Sequence, residues 1–222
     1  MAQRAQQLAD DGLEFATEPS GRRLPSPRLF VFARHAESTA NVVGVVSSDP
    51  GRPAGLTARG SEQARRLGAQ VAGLEIDLAV ATRLVRTQQT LELALSDRTV
   101  PVLIDPRFDE IRAGDCDGAP IEDYWAWRER HGPEDHFPHG ESLDEARIRY
   151  ASALRALLSR VERVTLVVVH ELALRWIAQA ATDSPLLLHA TFGNTTPYFF
   201  DEHAVTRAAA GLEAMARSLA PD

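Results

Sequence analysis

The feature of this sequence that most constrains its fold is a repeated alternation between short apolar runs and segments with helical character. Apolar runs occupy residues 29–33, 76–81, 100–104 and 164–169. Continuous runs of this length are typical of strands that are buried on both faces. Helical segments between the runs favour parallel pairing, because a parallel connection has to cross back over the sheet. The sequence therefore predicts an α/β fold, a three-layer α/β/α sandwich with a mainly parallel central sheet.

The segments between and after these runs show helix signals at particular residues. Thr57 and Ser142 are expected to cap two helices, and Glu145 completes a capping box with Ser142. Pro101 places the third strand near a sheet edge, and a last strand is predicted around residues 198–200. The stretch from 105 to 140 is predicted to be irregular. Helices are expected over residues 57–71, 86–95, 142–160, 172–181 and 204–219.

The chain length of 222 residues suits a single domain. Residues 1–27 are polar and interrupted by prolines, so we predict a flexible N-terminal tail there and one folded domain over residues 28–222. The beginning of the chain lacks the apolar run of a signal peptide, and no apolar stretch is long enough to span a bilayer. We therefore expect a soluble, cytoplasmic protein.

Charge and cysteine content limit the classes of partner. The formal net charge of −7 argues against nucleic acid or an anionic membrane as the main partner, since both bind basic surfaces. The single cysteine, Cys116, excludes an intramolecular disulfide and a cysteine-based metal cluster. A local basic pocket is compatible with an acidic protein, so a small phosphorylated molecule remains a candidate ligand.

Chemically capable side chains follow the ends of several predicted strands. Ligands of open parallel sheets bind outside the carboxyl ends of the strands, so these side chains are expected to meet at one edge. They are Arg34 and His35 after the first run, Arg83 and Arg86 after the second, Asp109 and Glu110 after the third, and His170 after the fourth.

Such a set suits phosphoryl transfer. Arginine forks match the geometry of phosphate oxygens, and histidine can attack phosphorus to form a covalent intermediate. A second histidine can donate hydrogen bonds to the transferring group, and a carboxylic acid can protonate the leaving oxygen. Positioning and charge stabilisation supply most of the catalysis in this chemistry.

Ordered motifs over roughly residues 28–200 resemble the histidine phosphatase superfamily, also called phosphoglycerate-mutase-like proteins. The stretch from Arg34 to Asn41, read as RHAESTAN, resembles the family signature, and Val168-Val169-His170 resembles the segment of its second catalytic histidine. The other similar segments are LTARG at 56–60, TRLVRTQQT at 82–90, Phe108-Asp109-Glu110, and His139-Gly140-Glu141-Ser142.

The resemblance implies a role for each matching residue. His35 would be the nucleophile, and Glu110 the proton donor. His170, Arg34 and Arg86 would line the phosphate pocket, and Asn41 would contribute to the pocket or to its substrate side. No metal and no organic cofactor is implied, so residues 28–222 would form a metal-independent catalytic domain.

The function expected from these residues is hydrolysis of a phosphomonoester, a small phosphorylated metabolite, through a phosphohistidine on His35. One alternative is phosphoglycerate mutase-type transfer, for which the segment 118–140 looks short. Another is an inactive module that senses a phosphate ligand. The oligomeric state and the identity of the substrate stay open.

Four departures from the family pattern involve six residues. Ala36 and Glu171 stand where glycine is usual, Ser47-Ser48 replaces a Gln-Gly pair, and Cys116-Asp117 replaces a Trp-Glu pair. Alanine at 36 is expected to be tolerated unless that position needs a positive φ. Glu171 either faces the pocket and repels the substrate, or points away and caps the following helix, and we prefer the second interpretation.

Other residues admit two interpretations each. Arg83 either binds phosphate or pairs with an acidic neighbour, and Asp109 and Asp115 are rivals to Glu110 as the acid. The aromatic side chains between 124 and 127 suit either a lid over the substrate or packing against the sheet. His131, His136 and His139, with Glu134 and Asp135, form either a metal site or, as we prefer, an exposed polar loop.

Overall fold

The computed structural model describes residues 27–182 and 191–217. The tail predicted for residues 1–27 lies outside the described residues, except for Pro27, so its flexibility stays a prediction. Within the described ranges, no helix combines the length and the apolar character that crossing a membrane would require.

Five strands form one central sheet, in the order β3-β2-β4-β1-β5. They are β1 (Leu29–Arg34), β2 (Leu78–Ala81), β3 (Val102–Ile104), β4 (Val164–Val169) and β5 (Pro197–Asp201). The first four run parallel, and β5 pairs antiparallel with β1 at the edge. The predicted mainly parallel sheet is confirmed, and so is the edge position expected for β3; β5 forms the other edge.

Helices cover the sheet, and most lie where the sequence predicts them. Thr57 accepts a hydrogen bond from the amide of Gly60, and Ser142 forms the predicted capping box with Glu145. The helices among the described residues are α1 (Thr39–Val43), α2 (Ala58–Gln70), α3 (Val85–Ala94), α4 (Ile121–Arg128), α5 (Leu143–Leu158), α6 (Glu171–Thr182) and α7 (Glu202–Arg217).

The stretch 105–140 is more ordered than predicted. It contains α4 and two short 3-10 helices, Pro106–Phe108 and Gly114–Cys116. A helix was missed here because α4 has no marked apolar stripe along its sequence, although it buries Tyr124. Tertiary packing against Phe137 compensates for the weak local signal.

The strands separate two apolar cores, which explains why their sequences are continuously apolar. On β1, Phe30 and Phe32 point into the core beneath α5, α6 and α7, whereas Val31 and Ala33 point into the core beneath α2 and α3. The C-terminal helix α7 packs against α5 and α6 and is therefore an integral part of the fold.

The order of the strands creates a crevice at one edge of the sheet. β1 and β4 are neighbours, and the helices that follow them lie on opposite faces, α2 on one and α6 on the other. Arg34 lies opposite Val169, so His35 and His170 leave the sheet side by side. A crevice where neighbouring strands send their connections to opposite faces is the usual ligand site of such sheets.

Candidate active site

His35 is the first residue after β1 and is 3% exposed. Its Nδ1 lies 2.7 Å from the carbonyl oxygen of Ala36. A carbonyl only accepts, so Nδ1 carries the proton and the lone pair is on Nε2. Burial, together with the adjacent Arg86 cation, holds the pKa of His35 well below its usual range. The ring is therefore neutral at pH 7, with Nε2 as its nucleophilic atom.

His170 follows β4 and is fully buried, with its ring centroid 5.3 Å from that of His35. Its Nδ1 lies 3.1 Å from Nη2 of Arg86. Since a guanidinium only donates, Nδ1 accepts and the proton is on Nε2. Burial and the Arg86 cation lower the pKa of His170 as well.

Arg86, in the first turn of α3, lies between the two rings. Its Nε donates to Nε2 of His35 at 3.0 Å. Its two terminal nitrogens contact Ser47, at 3.2 Å to the hydroxyl and 2.9 Å to the carbonyl oxygen. Burial lowers the pKa of Arg86 to about 10, so the side chain keeps its charge near neutral pH. We call His35, His170, Arg86, Thr82 and Ser47 the imidazole–guanidinium cluster.

Thr82, the first residue after β2, orients His170 and is a residue that our sequence reasoning missed. Its hydroxyl lies 3.1 Å from Nε2 of His170, which donates to it. Thr87 donates its hydroxyl hydrogen to the carbonyl of Leu84 at 2.8 Å, so its oxygen accepts from Thr82 at 2.9 Å. The position directly after a central strand was the signal that could have identified Thr82.

Arg34, the last residue of β1, binds to Glu171 across the cavity. Its Nη1 lies 2.7 Å from Oε2 of Glu171 and 3.1 Å from the carbonyl oxygen of Phe192. Its Nε is buried and has no hydrogen-bond partner in the described part of the chain.

The preferred interpretation that Glu171 points away from the pocket is wrong. Glu171 lines the cavity, and its carboxylate also pairs with Arg175 one turn further along α6. It does occupy the first turn of the helix, where a negative charge is favourable. The guanidinium groups of Arg34 and Arg175 attract the carboxylate toward the cavity. The position of Glu171 in the helix does not predict either contact.

Glu110 is the acid that lies in the cavity. Its Oε2 is 3.9 Å from Nδ1 of His170, and its Oε1 accepts from the amide of Ile111 at 3.0 Å. Burial raises the pKa of Glu110, and the Arg86 cation opposes that effect in part. A raised pKa suits a group that must carry a proton near neutral pH.

The rival acids and Arg83 lie elsewhere. Asp109 is buried, and it accepts from the amide of Arg83 at 2.8 Å and from its Nε at 2.6 Å. Asp115 is exposed and contacts His139 at 2.9 Å. Neither aspartate lines the cavity. Of the two interpretations of Arg83, the one in which it pairs with an acidic neighbour agrees with these contacts.

Asn41 lines the cavity from α1 and has no hydrogen bond to the imidazole–guanidinium cluster within the described residues. Its Oδ1 accepts from the amide of Ser38 at 3.0 Å and from the hydroxyl of Ser38 at 3.1 Å. Because these contacts occupy the oxygen, its amide nitrogen is the atom that can donate to a ligand.

The rest of the cavity wall is mostly apolar. The cavity has a volume of about 160 Å³, enough for a phosphoryl group and the first atoms of a leaving group. Trp127 packs between Phe137 and His131 instead of facing the cavity. We call the residues that α4 and α6 contribute the outer wall: Ile121, Tyr124, Trp125, Glu171, Leu172 and Arg175.

The histidines of the stretch 131–139 do not converge. His131 stacks on Trp127, His136 contacts Glu145 at 3.1 Å, and His139 contacts Asp115. No group of three or more His, Cys, Asp or Glu side chains that could hold a metal ion is found in residues 27–182 or 191–217. The polar-loop interpretation fits these contacts better than the metal site does.

Two departures from the family pattern contact each other. The hydroxyl of Ser48 donates to Oδ1 of Asp117 at 2.9 Å, and the amide of Ser48 donates to the same oxygen. Asp117 also pairs with Arg52 at 3.5 Å. Ala36 has no positive φ, so alanine fits there without backbone strain.

Comparisons with known proteins point to one family. A sequence model of the histidine phosphatase superfamily (branch 1) matches residues 30–198. Over 102 residues the chain is 39% identical to the adenosylcobalamin/alpha-ribazole phosphatase of Escherichia coli (strain K12), covering 42% of this chain and 49% of that protein. The chain thus matches only about half the length of that relative.

Two further matches extend over more of the chain. It is 31% identical over 149 residues to the probable phosphoglycerate mutase GpmB of Enterobacter sp. (strain 638), covering 64% of this chain and 68% of that protein. The crystal structure of a putative alpha-ribazole-5'-P phosphatase from E. coli K-12 aligns with a TM-score of 0.70 at 29% identity, covering 79% of this chain and 91% of that chain. This chain belongs to the histidine phosphatase superfamily.

Proposed function

We propose that this protein hydrolyses small phosphomonoesters through a phosphohistidine on His35. The observation that carries the proposal is the contact of one buried guanidinium, Arg86, with Nε2 of His35 at 3.0 Å and Nδ1 of His170 at 3.1 Å. Both imidazole nitrogens accept from the same buried cation. A phosphoryl dianion that enters this cluster finds a permanent positive charge beside a neutral nucleophile.

The first step transfers the phosphoryl group to the enzyme. Arg86 turns its donors from the imidazole nitrogens to phosphoryl oxygens, which frees the lone pair on Nε2 of His35. Nε2 attacks phosphorus, the bond from phosphorus to the ester oxygen breaks, and Glu110 gives its proton to that oxygen. The hydrogen bond from Nδ1 to Ala36 keeps the ring oriented while it becomes positively charged.

The second step releases phosphate. Glu110, now a carboxylate, takes a proton from water as the water oxygen attacks phosphorus. The bond from phosphorus to Nε2 of His35 breaks, and its electron pair returns to the nitrogen. Inorganic phosphate leaves, and the neutral imidazole and the protonated carboxyl are both restored.

His170 acts on the phosphoryl oxygens in this scheme. A bound dianion favours the protonated imidazole, so Nδ1 changes from acceptor to donor when the phosphoryl group arrives. The bond from Nε2 to Thr82 holds the ring in place during that change. Arg34, which also lines the cavity, adds a second positive charge.

The test is phosphate release by the full chain from a panel of phosphomonoesters, including alpha-ribazole 5'-phosphate, 3-phosphoglycerate and p-nitrophenyl phosphate. The panel includes the substrates that the names of the relatives suggest. We expect turnover by the wild type and a loss of at least about a thousandfold in kcat for His35→Ala. Rapid quenching with base and a radiolabelled phosphoryl group should trap a label that His35→Ala lacks.

Two outcomes would contradict the proposal. Absence of turnover across the panel would favour an inactive phosphate-sensing module. Transfer of the label to phosphoglycerate, instead of its release as inorganic phosphate, would favour mutase-type transfer. This is the second candidate function, because the chain is 31% identical to a probable phosphoglycerate mutase.

A further inference from the structure

We propose that Glu171 is a charge filter in the outer wall, which makes the cavity select phosphomonoesters whose leaving group carries no negative charge. The inference rests on the proposed function, since it names the class of substrate that the same site accepts. It concerns a residue for which the resemblance implies no role.

The first argument is the balance of charge around the cavity. In the described part of the chain, the cavity wall carries three arginines and two glutamates, namely Arg34, Arg86, Arg175, Glu110 and Glu171. Glu171 is the glutamate of the outer wall, where α4 and α6 line the cavity, so its carboxylate acts on any additional anionic group that a substrate places against that wall.

The second argument is that Glu171 neutralises the cation that could otherwise bind a second anionic group. Arg175 is the arginine of the outer wall, and its Nη2 is already paired with the Glu171 carboxylate. Arg34 is held by the same carboxylate at 2.7 Å. A carboxylate on the leaving group would therefore meet a neutralised pair instead of an available guanidinium.

The third argument is that Glu171 stays in the cavity after the phosphoryl group binds. When Arg34 turns toward a phosphoryl oxygen, the salt bridge to Arg175 still retains the carboxylate. Because Glu171 lines the same cavity of about 160 Å³, its charge lies close to the leaving group of a bound phosphomonoester. The other outer-wall side chains, Ile121, Tyr124, Trp125 and Leu172, are uncharged and mostly apolar, which suits an uncharged leaving group.

The test compares two matched pairs of substrates that differ in the charge of the leaving group. Phenyl phosphate is paired with 4-carboxyphenyl phosphate, and glycerol 3-phosphate with 3-phosphoglycerate. The measured quantity is the ratio of kcat/KM within each pair, which cancels effects on the phosphoryl site that both members share. The wild type is expected to prefer the uncharged member.

Removing the charge should reduce this preference. In Glu171→Gln the ratio should shift by about tenfold toward the anionic member in both pairs, the size of a partly screened charge–charge interaction at this range. Glu171→Lys should shift it further in the same direction. Added salt should reduce the preference of the wild type and have less effect on Glu171→Gln.

The matched control is Glu202→Gln. Glu202 is also the first residue of a helix and also pairs with an arginine, Arg28 at 3.8 Å, but it does not line the cavity. In Glu202→Gln, the ratio of kcat/KM within each substrate pair should equal that of the wild type. Circular dichroism and thermal unfolding should show that all variants are folded.

Two results would overturn the filter. One is an unchanged ratio in both Glu171→Gln and Glu171→Lys. The other is an increase in kcat/KM of equal size for both members of each pair. That result would mean that Glu171 competes with the phosphoryl group for Arg34 and has no effect on the choice of leaving group. Failure of the proposed function itself would look different, because the wild type would then turn over neither member of either pair.

Discussion

The two sides of the cavity are built in different ways. The imidazole–guanidinium cluster lies at strand ends and at the start of α3, where His35, His170 and Arg86 are each less than 5% exposed. The outer wall comes from α4 and α6, and Trp125 within it is 47% exposed. One side is held by strand register and by hydrogen bonds among its own side chains. The other side combines the buried ring of Tyr124 with the half-exposed ring of Trp125 and with ion pairs that water can reach.

This difference suggests that the cluster binds the phosphoryl group and that the outer wall contacts the rest of the substrate. Groups that must hold phosphorus within tenths of an ångström belong on strands, which move little relative to each other. Groups that meet the variable part of a substrate can belong to more exposed helices. Substitutions in the cluster should therefore change kcat strongly, whereas substitutions in the outer wall should change KM and selectivity.

The largest effect is expected for Arg86→Gln, which removes the cation from the centre of the cluster. We expect kcat to fall by about a hundredfold to a thousandfold, because a preorganised donor to the transition state is lost. The pKa values of His35 and His170 should rise, since the Arg86 charge helps to lower both. Kinetics and imidazole titration by NMR measure the two effects. The exposed residue Arg66 offers a control, and Arg66→Gln should change neither.

The next effect concerns Glu110 and depends on the leaving group. Glu110→Gln should lower kcat/KM by about a hundredfold for an alkyl phosphate, and much less for p-nitrophenyl phosphate, whose leaving group needs no proton. Burial raises the pKa of Glu110, so in the wild type kcat/KM for the alkyl substrate should fall as pH rises through that raised value. This fall should vanish in Glu110→Gln. An equal loss for both substrates at every pH would contradict the role of proton donor.

A smaller effect is expected for Thr82, a positioning residue. Thr82→Val leaves the buried Nε2 of His170 without its acceptor, which should cost about 1–3 kcal/mol in the free energy of unfolding. We expect kcat to fall by about tenfold as the ring loses its orientation. Thr82→Ser keeps the hydroxyl and should restore both values. Urea unfolding and steady-state kinetics give the two readouts, and no recovery in the serine variant would contradict the role.

The smallest effect is expected at the outer wall. Trp125→Ala should raise KM for aryl phosphates by about threefold to tenfold, because a partly buried aromatic contact is lost, and should leave kcat nearly unchanged. Phe199 is a matched exposed aromatic residue on β5, away from the cavity. Phe199→Ala should alter neither parameter. A loss in kcat for Trp125→Ala as large as that for Thr82→Val would mean that the two sides of the cavity do not differ as described.

Much of the fold and of the candidate site could be predicted from the sequence. Strand β4 and the capping box at Ser142 are local signals, and both are confirmed. His35 and His170 directly follow buried strands, so a parallel sheet was sufficient to bring them to the same edge. Helix α4 could not be predicted, because its sequence has no marked apolar stripe and its side chain Tyr124 packs on Phe137, which lies outside the helix.

The sequence by itself indicated that His35, His170 and Arg86 reach the same edge of the sheet, because burial periodicity and strand ends are properties of neighbouring residues. Only the tertiary structure decided between Asp109 and Glu110, and whether Glu171 faces inward. Those outcomes depend on which arginine lies nearby: Arg83 holds Asp109 outside the cavity, and Arg34 and Arg175 draw Glu171 into it. Electrostatic attraction acts through space between residues far apart in the chain, so its result appears only once the sheet is assembled.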